Sequence, residues 1–370
     1  MNITFLIGNG FDLGLGLNTR FEDFYPQYIK SKSKSKNILQ FKEEISKNIK
    51  NWSDFEYQLG QYTLEFDENN WERFLDIKED FENAFFRYLQ KEQKRIINVE
   101  KKGKEFFEKA FSFDNILQYL PRSFSENIRE MYDKDETTEY NFISFNYTNI
   151  LDKIVKQLKK EQDELNDYYT TYDSLYTPIV YNTVQHVHGT LNEYPLIGVD
   201  NGNQIANEKL KNIDEVTEYM IKSLMNRTTQ SGNERRTINI INKSDCVFVY
   251  GLSLGATDLR WWKKLVELVK YNQNTQVVFF VHEEKFDTNN VRQLSKMQNK
   301  SFQNLSQTIE EEMAKLKQLN ENICFVYNKD IFTIDLTKDK NIINLAPVST
   351  NVPNFKLNEN IINLDDGELG

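Results

Sequence analysis

The chain begins with a short continuous run of apolar residues, Ile3–Ile7, which is followed at once by a glycine-rich segment. A run of this length predicts a strand of a parallel sheet whose two faces are both covered. Gly8 and Gly10 predict a tight turn with little side-chain bulk. A helix is expected to begin near Asp12, and the amides at its start could face an anionic ligand.

Apolar residues then recur every three or four positions from residue 38 to about residue 131, without strand signals. We therefore predict a helical insertion or subdomain over residues 31–136. It would interrupt a discontinuous nucleotide-binding core formed by residues 1–30 and 137–335. Residues 336–370 are predicted to be an irregular tail.

Strands alternate with helices after the insertion, which predicts a Rossmann-like α/β fold with a mainly parallel sheet. The apolar patterns predict strands over residues 142–145, 183–188, 244–250, 276–282 and 323–327. Helices are predicted over residues 149–160, 208–225, 258–271 and 290–319, with polar loops over 163–173 and 226–236.

Four segments with polar or glycine residues each follow a predicted strand. They are residues 8–12, 144–148 (Ser-Phe-Asn-Tyr-Thr), 186–189 (His-Val-His-Gly) and 251–258. In open α/β sheets, ligands bind outside the carboxyl ends of the strands. We therefore expect these four segments to form one site.

Several side chains in these segments have two readings that the sequence leaves open. Asp12 either accepts a hydrogen bond from a ribose hydroxyl or caps the following helix. Asn146 either orients a water or sugar hydroxyl or bonds its own turn, and Thr148 either caps a helix or contacts ribose. Asn9, between two glycines, is a residue type that tolerates positive φ.

His188 ends a predicted strand before Gly189, and we predict it to be a general base because its pKa lies near neutrality. His186 is predicted to be a buried supporting residue. A metal site is not expected, since no further ligand has matching spacing and only Cys246 and Cys324 are present.

The segment Gly251-Leu252-Ser253 resembles the first turn, because a glycine again follows directly after a predicted strand. Ser253 could bind phosphate or ribose, and Asp258 is expected at the start of the next helix, where its charge suits the helix dipole. A nucleophilic serine is a weaker reading because no Asp and His follow in the required order.

The formal net charge is −10 and the apolar content 39%. This acidic balance argues against broad binding to nucleic acid or to an anionic membrane, but it does not exclude a local basic groove. The start lacks a signal-peptide pattern, and no apolar run approaches a membrane span. Two isolated cysteines fit a reducing compartment, so we expect a cytoplasmic protein.

Taken together, these motifs resemble a known family. The segment Ile7–Leu13, with Gly16, Leu17 and Phe24, resembles the opening signature of the AbiH family of bacterial abortive-infection proteins. The three later segments match that family's remaining blocks in the same order. The resemblance extends from the N-terminus to roughly Val281.

The same ordered blocks are more distantly similar to the SIR2-like NAD-binding fold. That similarity implies NAD as substrate or ligand and a catalytic pair formed by Asn146 and His188. The implied NAD contacts are Gly8, Asn9, Gly10, Phe11, Asp12, Thr148, Gly251, Ser253 and Asp258. Because zinc cysteines are missing and Asp12 replaces the serine of sirtuins, an NAD-cleaving defence enzyme is favoured over a deacylase.

The resemblance thus implies an antiphage effector that hydrolyses NAD, or a related nucleotide, at its N-glycosidic bond. The alternative is a nucleotide-binding sensor or scaffold without turnover. A phage-derived trigger is an expected partner, and homo-oligomerisation stays open. An enzyme that acts on nucleic acid is disfavoured by the acidic charge.

Overall fold

The computed structural model describes residues 1–97, 99, 102–103, 112–134, 137–172, 178–282 and 290–328. Its centre is one sheet in which all pairings are parallel, with the order β3-β2-β1-β5-β6-β7 and with β4 beside β2. The strands are β1 (Asn2–Ile7), β2 (Thr138–Ser144), β3 (Ile179–Tyr181), β4 (Gln185–His186), β5 (Cys246–Tyr250), β6 (Gln276–His282) and β7 (Ile323–Asn328). The predicted α/β class with a mainly parallel sheet is confirmed.

The described helices surround this sheet. They are α1 (Asn9–Gly14), α2 (Phe21–Lys30), α3 (Lys36–Lys47), α4 (Phe55–Tyr62), α5 (Trp71–Gln93), α6 (Phe113–Leu117), α7 (Arg122–Lys134), α8 (Ile150–Tyr172), α9 (Asp214–Met220), α10 (Lys222–Thr228), α11 (Asn233–Asn242), α12 (Leu259–Tyr271), α13 (Val291–Ile309) and α14 (Met313–Lys317). Short 3-10 helices cover Ile49–Trp52, Thr63–Glu65, Gly202–Gln204, Leu210–Asn212 and Ala256–Asp258. None of these helices combines the length and apolar character that crossing a membrane requires.

The register of the strands brings their carboxyl ends to one level. Ile7 at the end of β1 lies opposite Ser144 of β2 and Tyr250 of β5. Ser144 in turn lies opposite His186 of β4. The strand order runs in opposite directions on the two sides of the boundary between β1 and β5. This boundary is a topological switch point, where the connections leave a crevice at the sheet edge.

Each face of the sheet carries its own apolar core. On one face, Phe5 and Phe142 pack with residues of α6, α7 and α8, such as Ile128 and Ile154. On the other, Val247 packs with residues of α11 to α14. Because both faces are covered, the central strands β1, β5 and β6 are mainly apolar rather than alternating.

A third core is helical. Aromatic residues of α2 to α5 pack around Phe81, whose ring stacks on Phe55 with centroids 3.7 Å apart. Apolar residues between positions 191 and 221, including Ile197 and Met220, complete this core. The helical block is therefore packed against a later part of the chain. The proposed division into core, insertion and tail stays a prediction, and residues 329–370 lie outside the described residues.

Some local predictions were wrong. The loop predicted over residues 163–173 is instead the end of α8, which continues to Tyr172. Asn166 holds this end by bonding the backbone N–H and carbonyl of Ile179 in β3. The helix predicted over 290–319 is broken at Glu310, whose φ is 58°. The loop predicted over 226–236 contains the end of α10 and the start of α11.

Candidate functional site

Two glycine turns touch each other at the switch point. The amide of Gly8 donates to Tyr250 O at 2.9 Å, and that of Gly10 donates to Gly251 O at 2.8 Å. A Cβ atom on Gly10 would lie 2.5 Å from Gly251 Cα, and Leu252 would block one on Gly8 at 2.4 Å. The contact between the turns by itself therefore requires glycine, and the amides of Gly8 and Gly10 already have acceptors.

A cavity of about 280 Å³ lies beside these turns at the carboxyl edge of the sheet. The structure brings to this cavity eight of the side chains or backbone positions singled out from the sequence, namely Asn9, Asp12, Asn146, Thr148, His188, Gly251, Ser253 and Asp258. Gly10 lines an adjoining cavity. Gly8 is buried, and the Phe11 side chain packs in the core on one face of the sheet.

Asp12 does not cap a helix. It lies within α1, and its Oδ2 accepts a hydrogen bond from Thr148 Oγ1 at 2.8 Å, so Thr148 is not a cap either. Its Oδ1 is buried and has no hydrogen-bond partner among the described residues. Burial raises the pKa of Asp12 to about 7, although the hydrogen bond from Thr148 and the nearby polar side chain of Asn146 lower it. Asp12 is thus a carboxyl group that titrates near neutrality in the cavity wall.

His188 is also buried with one free ring nitrogen. Its Nε2 lies 3.1 Å from Asp258 Oδ1, while Nδ1 has no partner among the described residues. Burial lowers the pKa of His188, and the charge of Lys222 lowers it further, against the effect of Asp258. The neutral imidazole can therefore donate from Nε2 to the carboxylate and keep Nδ1 as a proton acceptor.

Asp258 belongs to a buried charge network that the sequence did not reveal. Lys222 Nζ lies 2.8 Å from Glu56 Oε2 and 3.3 Å from Asp258 Oδ1, and it donates to Thr257 O at 3.1 Å. Burial favours neutral Asp258, but Lys222 and His188 outweigh it and hold the pKa of this carboxyl well below its usual range. Asp258 precedes α12, yet its side chain makes no cap bond.

Nothing in the sequence marked Lys222 or Glu56 as a residue of the site. Lys222 is one of 46 basic residues and lies in a segment predicted to be an ordinary helix. Glu56 belongs to the helical block, 166 positions away in the chain. Only the packing of α4 and α10 over the sheet edge brings these two side chains to Asp258.

Asn146 is held from both sides of its backbone. Its N–H donates to Ser144 Oγ at 3.2 Å, and its carbonyl lies 3.0 Å from His186 Nδ1. The other ring nitrogen of His186 lies 2.9 Å from Asp152 Oδ2 on α8. His186 therefore acts on Asn146 as a support, while His188 faces a different partner.

The adjoining cavity has a volume of about 720 Å³ and is more apolar. It lies along the ends of β5 and β6, where Tyr250, Phe279 and Phe280 contribute to its wall. The two cavities share Asn9, Arg20, Gly251, Leu252 and Ser253. They therefore flank the same turn. Among the described residues, no group of three or more His, Cys, Asp or Glu could hold a metal ion.

The comparison with protein families agrees with these motifs. Residues 4–281, which are 278 of the 370 residues, match the model of the family described as "Bacteriophage abortive infection AbiH". No curated protein and no solved structure matches the chain. The match contains β1 from Thr4 onwards, both glycine turns and all the cavity residues named above. The chain is a member of the AbiH family of bacteriophage abortive infection proteins.

Proposed function

We propose that this protein acts in abortive infection by hydrolysing NAD, or a close relative, at the bond between nicotinamide and ribose. One observation carries the proposal. Two buried groups with free polar atoms, Asp12 Oδ1 and His188 Nδ1, line the same cavity as Asn146. Unpartnered buried polar atoms are costly, and they are expected where a ligand supplies the missing hydrogen bonds.

The proposed reaction breaks the bond between ribose C1′ and the pyridinium nitrogen. The electron pair of this bond stays on nicotinamide, which leaves as a neutral molecule, and the ribose develops oxocarbenium character. A water molecule then bonds to C1′, and its proton passes to His188 Nδ1. Asn146 orients the water, and Asp12 Oδ1 accepts a hydrogen bond from a ribose hydroxyl. Such preorganised polar groups stabilise developing charge without reorganisation.

The cavities support a dinucleotide rather than a smaller ligand. The polar cavity of about 280 Å³ suits a ribose and its leaving group, and the larger one of about 720 Å³ offers aromatic walls for a nucleoside. Arg20 lines both cavities, and its guanidinium has no ion-pair partner among the described residues. A diphosphate between two nucleosides would meet this cation.

Nicotinamide release tests the proposal. The purified protein is incubated with NAD, with and without phage lysate, and nicotinamide is measured by chromatography. We expect His188→Ala and Asn146→Ala each to lower the rate about a hundredfold, as loss of a general base or of a positioning amide does. Asn192→Ala, an exposed amide, serves as the control. Full activity in both site variants would refute the assignment.

The pH profile tests Asp12. Since the pKa of Asp12 is about 7 and only the carboxylate accepts a hydroxyl proton, kcat/KM should rise about tenfold between about pH 6 and pH 8. Burial and the charge of Lys222 lower the pKa of His188, which favours its neutral form. Asp12→Asn should abolish the rise, whereas Asp133→Asn on the exposed side of α7 should keep it.

The pH dependence of the free energy of unfolding tests the pKa of Asp12 independently of activity. A carboxyl whose folded-state pKa is raised binds protons that the unfolded chain has lost, so the free energy of unfolding falls as pH rises from about 4 to about 7. Asp12→Asn should flatten this fall. An Asp12→Asn profile that runs parallel to the wild-type profile over this range would contradict a buried Asp12 with a raised pKa.

The alternative is a sensor that binds the nucleotide without turnover. It would use the same cavity and the same contacts. Tight nucleotide binding by calorimetry, with no product under any activating condition, would support the sensor over the enzyme. The free acceptor at His188 Nδ1 favours the enzyme, because a binding site alone does not require a neutral buried base.

A further inference from the structure

A separate cavity, of about 420 Å³, lies on the helical block between α2, α3 and α5. Five basic side chains line it, Lys32, Lys42, Arg87, Lys91 and Lys94, against one carboxylate, Asp80. We call this surface the basic groove. In a chain with a net charge of −10, such a local concentration of positive charge is a departure from the average surface.

Most of these cations are free. Lys32, Arg87, Lys91 and Lys94 are exposed, and their side-chain cations form no hydrogen bond or ion pair with any described residue. Arg87 and Lys91 lie four residues apart on one side of α5, and Lys94 is the residue that follows the last residue of this helix. Surface cations of this acidic protein could have been paired with carboxylates, as Arg95 is with Glu92. The basic groove instead keeps its charges available.

Hydrogen bonds and a cation–π contact fix the wall of the basic groove. Lys42 is buried, and its Nζ donates to Ser31 O at 3.0 Å and to Ser31 Oγ at 2.7 Å. The same Nζ lies 4.6 Å from the centre of the Tyr28 ring, and the Tyr28 hydroxyl donates to Asp80. These contacts fix the start of the loop after α2 beside α5. The only carboxylate of the groove is thus already engaged.

From this arrangement we propose that the basic groove binds the phosphodiester backbone of a nucleic acid duplex. Its remaining lining residues are small or neutral polar side chains, and Ala84 is the one apolar member. Protein interfaces favour aromatic residues and are depleted in lysine, whereas phosphate contacts come from Arg, Lys, Ser and Gln. Since no aromatic ring is found among the described residues that line the groove, base stacking on single strands is not supported.

The groove is close to the candidate active site through one helix. Phe85 and Leu89 of α5 line the polar cavity, while Arg87 and Lys91 of the same helix, together with Lys94 just after its end, line the basic groove. A duplex bound at the groove would therefore contact α5, the helix that also lines the polar cavity. The binding itself does not depend on NAD cleavage, so the two proposals can fail separately.

Fluorescence anisotropy with labelled DNA and RNA duplexes of about 20 base pairs tests the proposal across salt concentrations. Four or five phosphate contacts give a slope of log K against log salt of about −4. The triple variant Arg87→Ala, Lys91→Ala, Lys94→Ala should lose about 3 of this slope and bind at least tenfold more weakly at low salt. The charge-preserving variant Arg87→Lys, Lys91→Arg, Lys94→Arg should retain binding.

The matched control is Arg292→Ala, Lys296→Ala, Lys300→Ala, which removes three cations from one side of α13. It should leave affinity and slope unchanged. Equal losses in the groove and control variants, or no duplex binding at about 50 mM salt, would overturn the proposal. Binding of polyglutamate in place of duplex would also overturn it and would indicate an acidic protein partner. The DNA and RNA arms show which duplex is preferred.

Discussion

Replacing Lys222 by methionine is expected to lower the free energy of unfolding by about 3–5 kcal/mol at neutral pH. Lys222 is buried between the carboxylates of Glu56 and Asp258, which come from α4 and from the turn before α12. Methionine fills a similar volume but provides no charge. Two largely buried carboxylates would then face each other without a cation, which is the costly arrangement.

The loss should depend on pH with a definite sign. Without Lys222, the pKa of Glu56 and of Asp258 should both lie above their unfolded values, because burial and mutual repulsion favour the protonated forms. The folded variant would then bind protons that the unfolded chain does not, so its stability falls as pH rises. We expect a larger difference from wild type at about pH 8 than at about pH 5, measured by urea denaturation.

Two further variants separate this network from ordinary surface pairing. Lys270→Met removes a partly exposed pair with Glu311 and should cost no more than about 1 kcal/mol. The double variant Lys222→Met, Glu56→Gln removes one of the two unpaired charges and should recover part of the lost stability. A loss below about 1 kcal/mol in Lys222→Met would mean that the network does not hold the fold together.

Gly251→Ala is expected to destabilise the protein by about 3 kcal/mol even in the absence of nucleotide. Gly251 has a φ of 68°, which costs other residues energy, and its Cβ would lie 2.8 Å from both Gly10 Cα and Phe11 N. These are backbone atoms that cannot rotate away. The substitution would force the two glycine turns apart and widen the boundary between β1 and β5.

Gly255→Ala is the matched control in the same loop. Gly255 has a φ of −73°, and its Cβ would meet Ser253 Oγ at 3.5 Å, an ordinary contact. Thermal unfolding should therefore be nearly unchanged in this variant. If Gly251→Ala also unfolded like wild type but lost nucleotide binding, the glycine would serve ligand approach rather than the contact between the turns.

Much of the fold could be predicted because its strands are covered on both faces. Continuous apolar runs such as Ile3–Ile7 and Cys246–Tyr250 have few alternatives in a chain of this length. The candidate site followed from the same logic, since residues after parallel strands lie at one edge. Helix ends were harder: α8 continues through a polar stretch because Asn166 docks on β3, a tertiary contact.

By itself, the sequence determined the parallel α/β class, the main strands, the four strand ends and the residues Asp12, Asn146 and His188 that lie there. Only the tertiary structure decided their environment. Burial, rather than residue type, leaves Asp12 Oδ1 and His188 Nδ1 without partners among the described residues, raises the pKa of Asp12 to about 7 and lowers the pKa of His188. The Lys222 network and the basic groove likewise join residues that are distant in the chain. Charge interactions depend on distance and desolvation in space, and neither can be read from position along a sequence.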